Sequence, residues 1–204
     1  MLKLSVAAAI IGHILCGISD CLLAYSKNGR LDLKNINDAE KMSKMFADMP
    51  LSYPLMSTLL GVFAITLFSF GYFGLSSLIS GYSKAASIIM FISAVLYVVP
   101  IAAHHVLFAV IEWLYIRLGR TNEAREAVLE LQKKTIAPMF VGYLGLLVFV
   151  VTLFVMIVSG NTDIPRRACV FNTLVFMLIL APTKLPAKGN IAGTAMFLGL
   201  LFVI

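Results

Sequence analysis

Charge is what this chain of 204 residues has least of. Only 13% are Asp, Glu, Lys or Arg, where a soluble globular domain carries about a quarter. That shortage, beside 60% hydrophobic residues, excludes a water-soluble domain. Cysteine is scarce as well: Cys16, Cys21 and Cys169 are odd in number and lie in apolar segments, which excludes a secreted disulfide framework and makes them small packing residues. There is no Walker loop, dinucleotide fingerprint, G-x-S-x-G elbow or H-E-x-x-H pair, so the enzyme classes built on those motifs have no foothold. No internal repeat relates the two halves, as a transporter of inverted repeats would require.

What is present is long apolar sequence. Six segments stand out: Leu4–Tyr25, Leu51–Ile79, Ala85–Ile116, Ile136–Ser159, Ala168–Pro182 and Gly189–Ile204. The first four reach the roughly 20 residues that cross a bilayer as a helix. The last two are short, and are expected to form a tight hairpin of two spans about the turn "APTKLPAKGN", with Asn190 capping the second; a re-entrant pair is the alternative. Lys3 before an apolar run has the outline of a signal peptide, but this segment is read as a first membrane helix. The fold expected is all-α, a single polytopic membrane domain over 1–204 with about six transmembrane helices.

The net charge of +6 reflects topology rather than a nucleic-acid partner, because the basic residues sit at loop ends. Twelve Lys and Arg fall in the first, third and fifth loops: Lys27, Arg30, Lys34, Lys41, Lys44, Arg117, Arg120, Arg125, Lys133, Lys134, Lys184 and Lys188. Only Lys3, Lys84, Arg166 and Arg167 fall on the other side. This bias predicts a plasma (inner) membrane protein with odd loops in the cytoplasm and both termini outside. Two loops carry helical periodicity. In "NINDAEKMSKMFADMP", Asn37 and Glu40 are spaced as a capping box before an apolar face, predicting a short interfacial helix. In "GRTNEAREAVLELQKK", Ala124, Val128, Leu131 and Thr135 share a face, predicting a solvated extension of the third membrane helix.

The few ionisable groups inside apolar segments point to function. They are His13, Asp20, His104, His105 and Glu112. Such groups are expensive in a bilayer, so they usually face the protein interior and serve a site. His13 and Asp20 are seven apart on one helix, and His105 and Glu112 seven apart on another; residues at that spacing share a face. Counted from Lys27 and Arg117, Asp20 and Glu112 lie at similar depth, as do His13 and His105. This predicts a pocket between the first and third membrane helices with a carboxylate tier and a deeper histidine tier. His104 points about 100° away. Ser19 turns from Asp20 by the same angle, so no nucleophile–base pair is expected there. Gly12 and Gly17 would allow close helix approach. Pro100 would free the Leu96 carbonyl near the histidines.

Three functions follow as expectations. Metal ligation by His13, His105 and His104, with Zn²⁺ or Fe²⁺ as the ion and Asp20 and Glu112 as catalytic carboxylates, would suit hydrolysis or isomerisation of a lipid-like substrate. A His–carboxylate ladder would suit a proton-coupled small-molecule transporter or a membrane substrate-binding subunit. Polar contacts alone would suit a helix bundle without chemistry. The metal chemistry resembles that of the membrane hydrolases that include alkaline ceramidases, built on intramembrane Ser, Asp and three His. This chain departs from them in its adjacent His104–His105 and its six segments, so no residue role carries over. Six helices in about 200 residues are similar to the substrate-binding subunits of bacterial vitamin importers. The layout of "GISDCLLAYS", a charged loop and a polar-edged last helix resembles small bacterial membrane families of unknown function.

Overall fold

A computed structural model describes residues 1–31 and 35–204; Lys34, counted above among the loop charges, lies outside them. The described chain is all-helical apart from a two-residue-per-strand hairpin. Its long elements are α1 (Leu2–Ala24), α3 (Ser52–Ile79), α4 (Lys84–Arg117) and α6 (Ala137–Val158); between them come α2 (Ala39–Phe46) and α5 (Asn122–Lys134), and α7 (Thr173–Leu180) and α8 (Lys188–Leu201) follow. Four helical segments are long and apolar enough to cross a membrane: α1, α3, α4 and the run Asn122–Val158 that contains α6. Each expected membrane segment begins and ends within a few residues of one of these elements. The exception is the fifth, which opens as a 3-10 turn over Arg166–Val170 before Asn172 caps α7.

Neighbouring helices close a ring, α1–α3–α4–α6–α7–α8 and back to α1. Glycine makes the closest approaches possible. A Cβ on Gly12 would stand 2.4 Å from the Phe68 backbone nitrogen, so α1 and α3 touch backbone to backbone. Gly145 does the same between α6 and α4, with Tyr97 nitrogen 2.7 Å from the missing Cβ. Gly17 makes only ordinary contact with α8. Inside the ring, Tyr72 is fully buried and takes Phe149, Phe197 and Tyr97 edge-on with ring centroids 5.0–5.2 Å away, the arrangement that aromatic quadrupoles favour. The outer faces keep large apolar side chains exposed, among them Ile11, Phe63, Ile92, Leu144 and Val155, as lipid contact requires.

The last two segments differ from simple spans. At 8 and 14 residues, α7 and α8 are about 12 and 21 Å long, short of a hydrocarbon core of about 30 Å. The turn between them nonetheless reaches the end of α1, where Arg30 donates to the Lys184 carbonyl. From there α8 runs back antiparallel along α1, with Asn190 beside Gly17, Gly193 beside His13 and Phe197 near Ala9 across Gly71. Asn190 does not cap α8, as the sequence suggested. It is the third residue of that helix, and Ala187, in the left-handed region at φ 50°, precedes the first.

A small cap covers one end of the ring. Asp38, not Asn37, caps α2; its carboxylate accepts from the Lys41 N–H at 3.0 Å, and the Lys41 N–H and ammonium hold it below the usual carboxylate range. The apolar face of α2 is not spread on lipid. Met42 and Phe46 pack on Tyr115, Ile116 and Val128. Nor does α5 continue α4: the chain turns at Gly119 and Arg120, both at positive φ, and Thr121 caps a separate helix that buries Ala124 and Val128 in the same cluster. Arg120 locks the cap by donating to the Phe46 and Met49 carbonyls at 2.9 and 3.3 Å. Arg120→Ala should cost about 1–3 kcal/mol of this docking. Limited trypsin digestion checks this: cleavage at Lys41 and Lys44 should accelerate while the spanning helices stay protected.

Candidate functional site

The site is built where α1 meets α3, α4 and α8. His105 comes from α4, yet its ring lies against the backbone of α3, because a Cβ on Gly61 would stand 2.0 Å from its Nε2. That notch lets the imidazole reach across α3 to α1. Its Nε2 lies 3.0 Å from the Ser19 hydroxyl, 3.3 Å from the Ser57 hydroxyl and 3.1 Å from the Ser57 carbonyl. Its Nδ1 faces Asp20 Oδ1 at 3.6 Å. Ser19 and Ser57 also clasp each other, each hydroxyl donating to the other's carbonyl at 2.8 and 3.0 Å. Small polar residues that bind across helices in this way are a common adhesive in membrane bundles.

His13 occupies a second, drier position. It is buried, stacked on Phe68 at 4.4 Å, and slides under α8 because Gly193 has no Cβ to block it. Its Nδ1 pairs with Asn190 Oδ1 at 3.0 Å and its Nε2 with the Tyr72 hydroxyl at 3.2 Å. Asn190 joins the two positions: while its carbonyl engages His13, its amide donates to Asp20 Oδ2 at 2.8 Å. A polar chain therefore runs Tyr72–His13–Asn190–Asp20–His105–Ser19 through four helices. Asp20, its side chain 31% exposed, is only partly enclosed.

The residues expected to share a pocket are only partly brought together. Asp20 and His105 meet, but Asp20 stands level with His105 rather than with Glu112, a shift of one whole tier. The depth count failed because α4 runs about two turns past the level where α1 ends: His105, level with Asp20, lies 12 residues before Arg117, whereas Asp20 lies 4 before Ala24. Glu112 is buried, and its Oε2 has no hydrogen-bond partner among the described residues. His104 faces away, lining a crevice with Leu107, Phe108 and Gln132. No group of three His, Cys, Asp or Glu able to hold a metal ion occurs among the described residues, and both ring nitrogens of His13 and of His105 are already engaged. Asn172 bonds the Val150 carbonyl of α6 at 2.8 Å and stays out of the site.

Ser57 and Tyr72 were not singled out by the sequence, and Ser19 and Asn190 were read there in other roles. Ser19 and Asp20 do diverge by about 100°, but one imidazole is wide enough to touch both. A signal for Ser57 existed in Ser57 and Gly61, a small polar residue and a glycine one turn apart in an apolar run, a pattern that marks a helix–helix seam.

No curated protein and no solved structure matches the chain. One family model matches all of it, residues 1–204. The chain belongs to that family, a family of unknown function (DUF6796).

Proposed function

We propose that the protein is a proton-coupled carrier of a small molecule in the plasma membrane, with Asp20 and His105 as its proton-binding pair. One observation carries this reading: the Asp20 carboxylate is shared between His105 of α4 and Asn190 of α8. A proton arriving on Asp20 removes the charge that holds both partners, and charge-assisted hydrogen bonds are about twice as strong as neutral ones. Asn190 does not conduct protons; it reports the state of Asp20 to α8 and to His13. The α7–α8 hairpin then loosens from α1 on acidification and closes again when Asp20 ionises. In this reading the hairpin crosses the bilayer despite its short helices, giving six crossings. The excess of Lys and Arg in the odd loops supports a cytoplasmic cap and outward-facing termini.

Reconstitution into liposomes tests the proposal. An imposed pH gradient should collapse faster with wild-type protein than in empty vesicles, and Asp20→Asn should return the rate to the empty-vesicle value. Wild-type rates from Asp20→Asn would defeat it.

A second reading is favoured by the order Ser19 Oγ, His105 Nε2, His105 Nδ1, Asp20 Oδ1, which is that of nucleophile, base and orienting carboxylate in acyl hydrolases. A lipid-like ester would be its substrate. The Ser19 hydroxyl donating to the Ser57 carbonyl favours the carrier instead. Covalent labelling of Ser19 by a fluorophosphonate would reverse that preference.

A further inference from the structure

Glu112 is a buried carboxyl of the membrane helices that the Asp20–His105 pair leaves unexplained. It is 4% exposed, and its Oε2 has no hydrogen-bond partner among the described residues. No salt bridge reaches it among the described residues; the cap's arginines are engaged elsewhere, Arg120 with the Phe46 and Met49 carbonyls and Arg125 with Asn122 and the Asn37 carbonyl. A buried carboxyl without a partner is costly, and evolution has cheaper residues for plain packing. Its position adds the second argument. Ile111, Tyr115 and Ile116, its neighbours along α4, belong to the cluster under α2 and α5, so Glu112 sits where the ring of helices passes into the cap. It shares a face of α4 with His105, about 10 Å away along the axis, and Ala109, fully buried, lies between them. Helix Cα–Cβ bonds tilt toward the N-terminus, so the Glu112 side chain leaves α4 on the side toward His105.

We infer that Glu112 is a second proton-binding station, through which protons from the cap side reach the Asp20–His105 pair; the delivery step rests on the carrier reading above. A single carboxyl without a cation or a companion ligand suits a proton, which needs no cavity. In the transfer, the O–H bond of the Glu112 acid breaks and an N–H bond forms on His105, through water admitted past Ala109. Glu112 is left as carboxylate and His105 as imidazolium; His105 then passes the proton on its Nδ1 to Asp20, which faces it, and the cycle closes when Asp20 releases that proton and Glu112 is reloaded from the cap side.

Infrared spectroscopy of membranes and the liposome assay, applied to wild type, Glu112→Gln, Glu112→Asp and Asp20→Asn, test this separately from the carrier reading. The carbonyl band of a protonated carboxylic acid should be present in wild type, vanish in Glu112→Gln and persist in Asp20→Asn. Proton flux should fall to the empty-vesicle rate in Glu112→Gln and recover in part in Glu112→Asp. If the band survives in Glu112→Gln, the inference is overturned whatever the flux. If Glu112→Gln conducts as wild type while Asp20→Asn does not, the delivery role falls and the carrier stands. If Asp20→Asn conducts, the carrier falls, and loss of the band in Glu112→Gln still identifies Glu112 as the proton-binding acid.

Discussion

Gly12→Ala is expected to lower stability by about 3 kcal/mol, the upper part of the range for overpacking a core. The reason is what the new methyl group meets. It would stand 2.4 Å from the Phe68 nitrogen and 2.7 Å from the Ala64 carbonyl oxygen, and backbone cannot swing aside as a side-chain tip can. Relief requires α1 and α3 to separate, and that carries Ser19 away from Ser57 and His105. Thermal unfolding in detergent should show the loss as a lowered midpoint. The matched control is Gly17→Ala, whose Cβ would find its nearest neighbour, Asn190 Cβ, at 3.6 Å and should change little. Equal effects at the two positions would mean that α1 and α3 do not touch as described.

His105→Ala should have the next largest effect, about 2–4 kcal/mol of stability together with loss of proton movement. Removing the imidazole takes a partner from the buried Ser19 and Ser57 hydroxyls and from Asp20, and a buried polar group left without its partner costs about 1–3 kcal/mol, more if charged; Asp20 keeps 31% of its side chain exposed, which limits its share. The deletion also empties the notch at Gly61, adding a cavity. Double-mutant cycles separate these contributions: if Asp20 and His105 interact directly, Asp20→Asn should cost much less in a His105→Ala background than in wild type. Simple additivity would show that the 3.6 Å approach carries no energy.

The two predictions rest on features of unequal legibility. The spanning helices were readable because apolar run length is a one-dimensional property, and the ionisable residues were readable because any charge in such a run is conspicuous. Which charge meets which was not. His105 finds Asp20 only because Gly61 lets an imidazole cross α3, and α3 contributes no His, Asp, Glu, Lys or Arg that would have drawn attention. An Asn near a helix start fits a capping role on sequence grounds, whereas Asn190 is the third residue of α8. Its use as a bridge depends on α8 lying antiparallel to α1, a long-range fact. The cap was half legible: periodicity revealed α2 and α5, but not that their apolar faces pack against Tyr115 and Ile116 in one cluster.

The central claim is that protonation of Asp20 governs the docking of the α7–α8 hairpin on α1. Pulsed electron-spin distance measurement tests it most directly, with labels at positions 27 and 184 in a protein whose native cysteines are replaced by serine. In liposomes, the distance between the α1 hairpin and the α7–α8 turn should lengthen or broaden on acidification in the otherwise wild-type chain. With Asp20→Asn it should be insensitive to pH, because position 20 no longer titrates. A distance that is pH-independent with Asp20 present, or that responds equally with Asn in its place, would contradict the account.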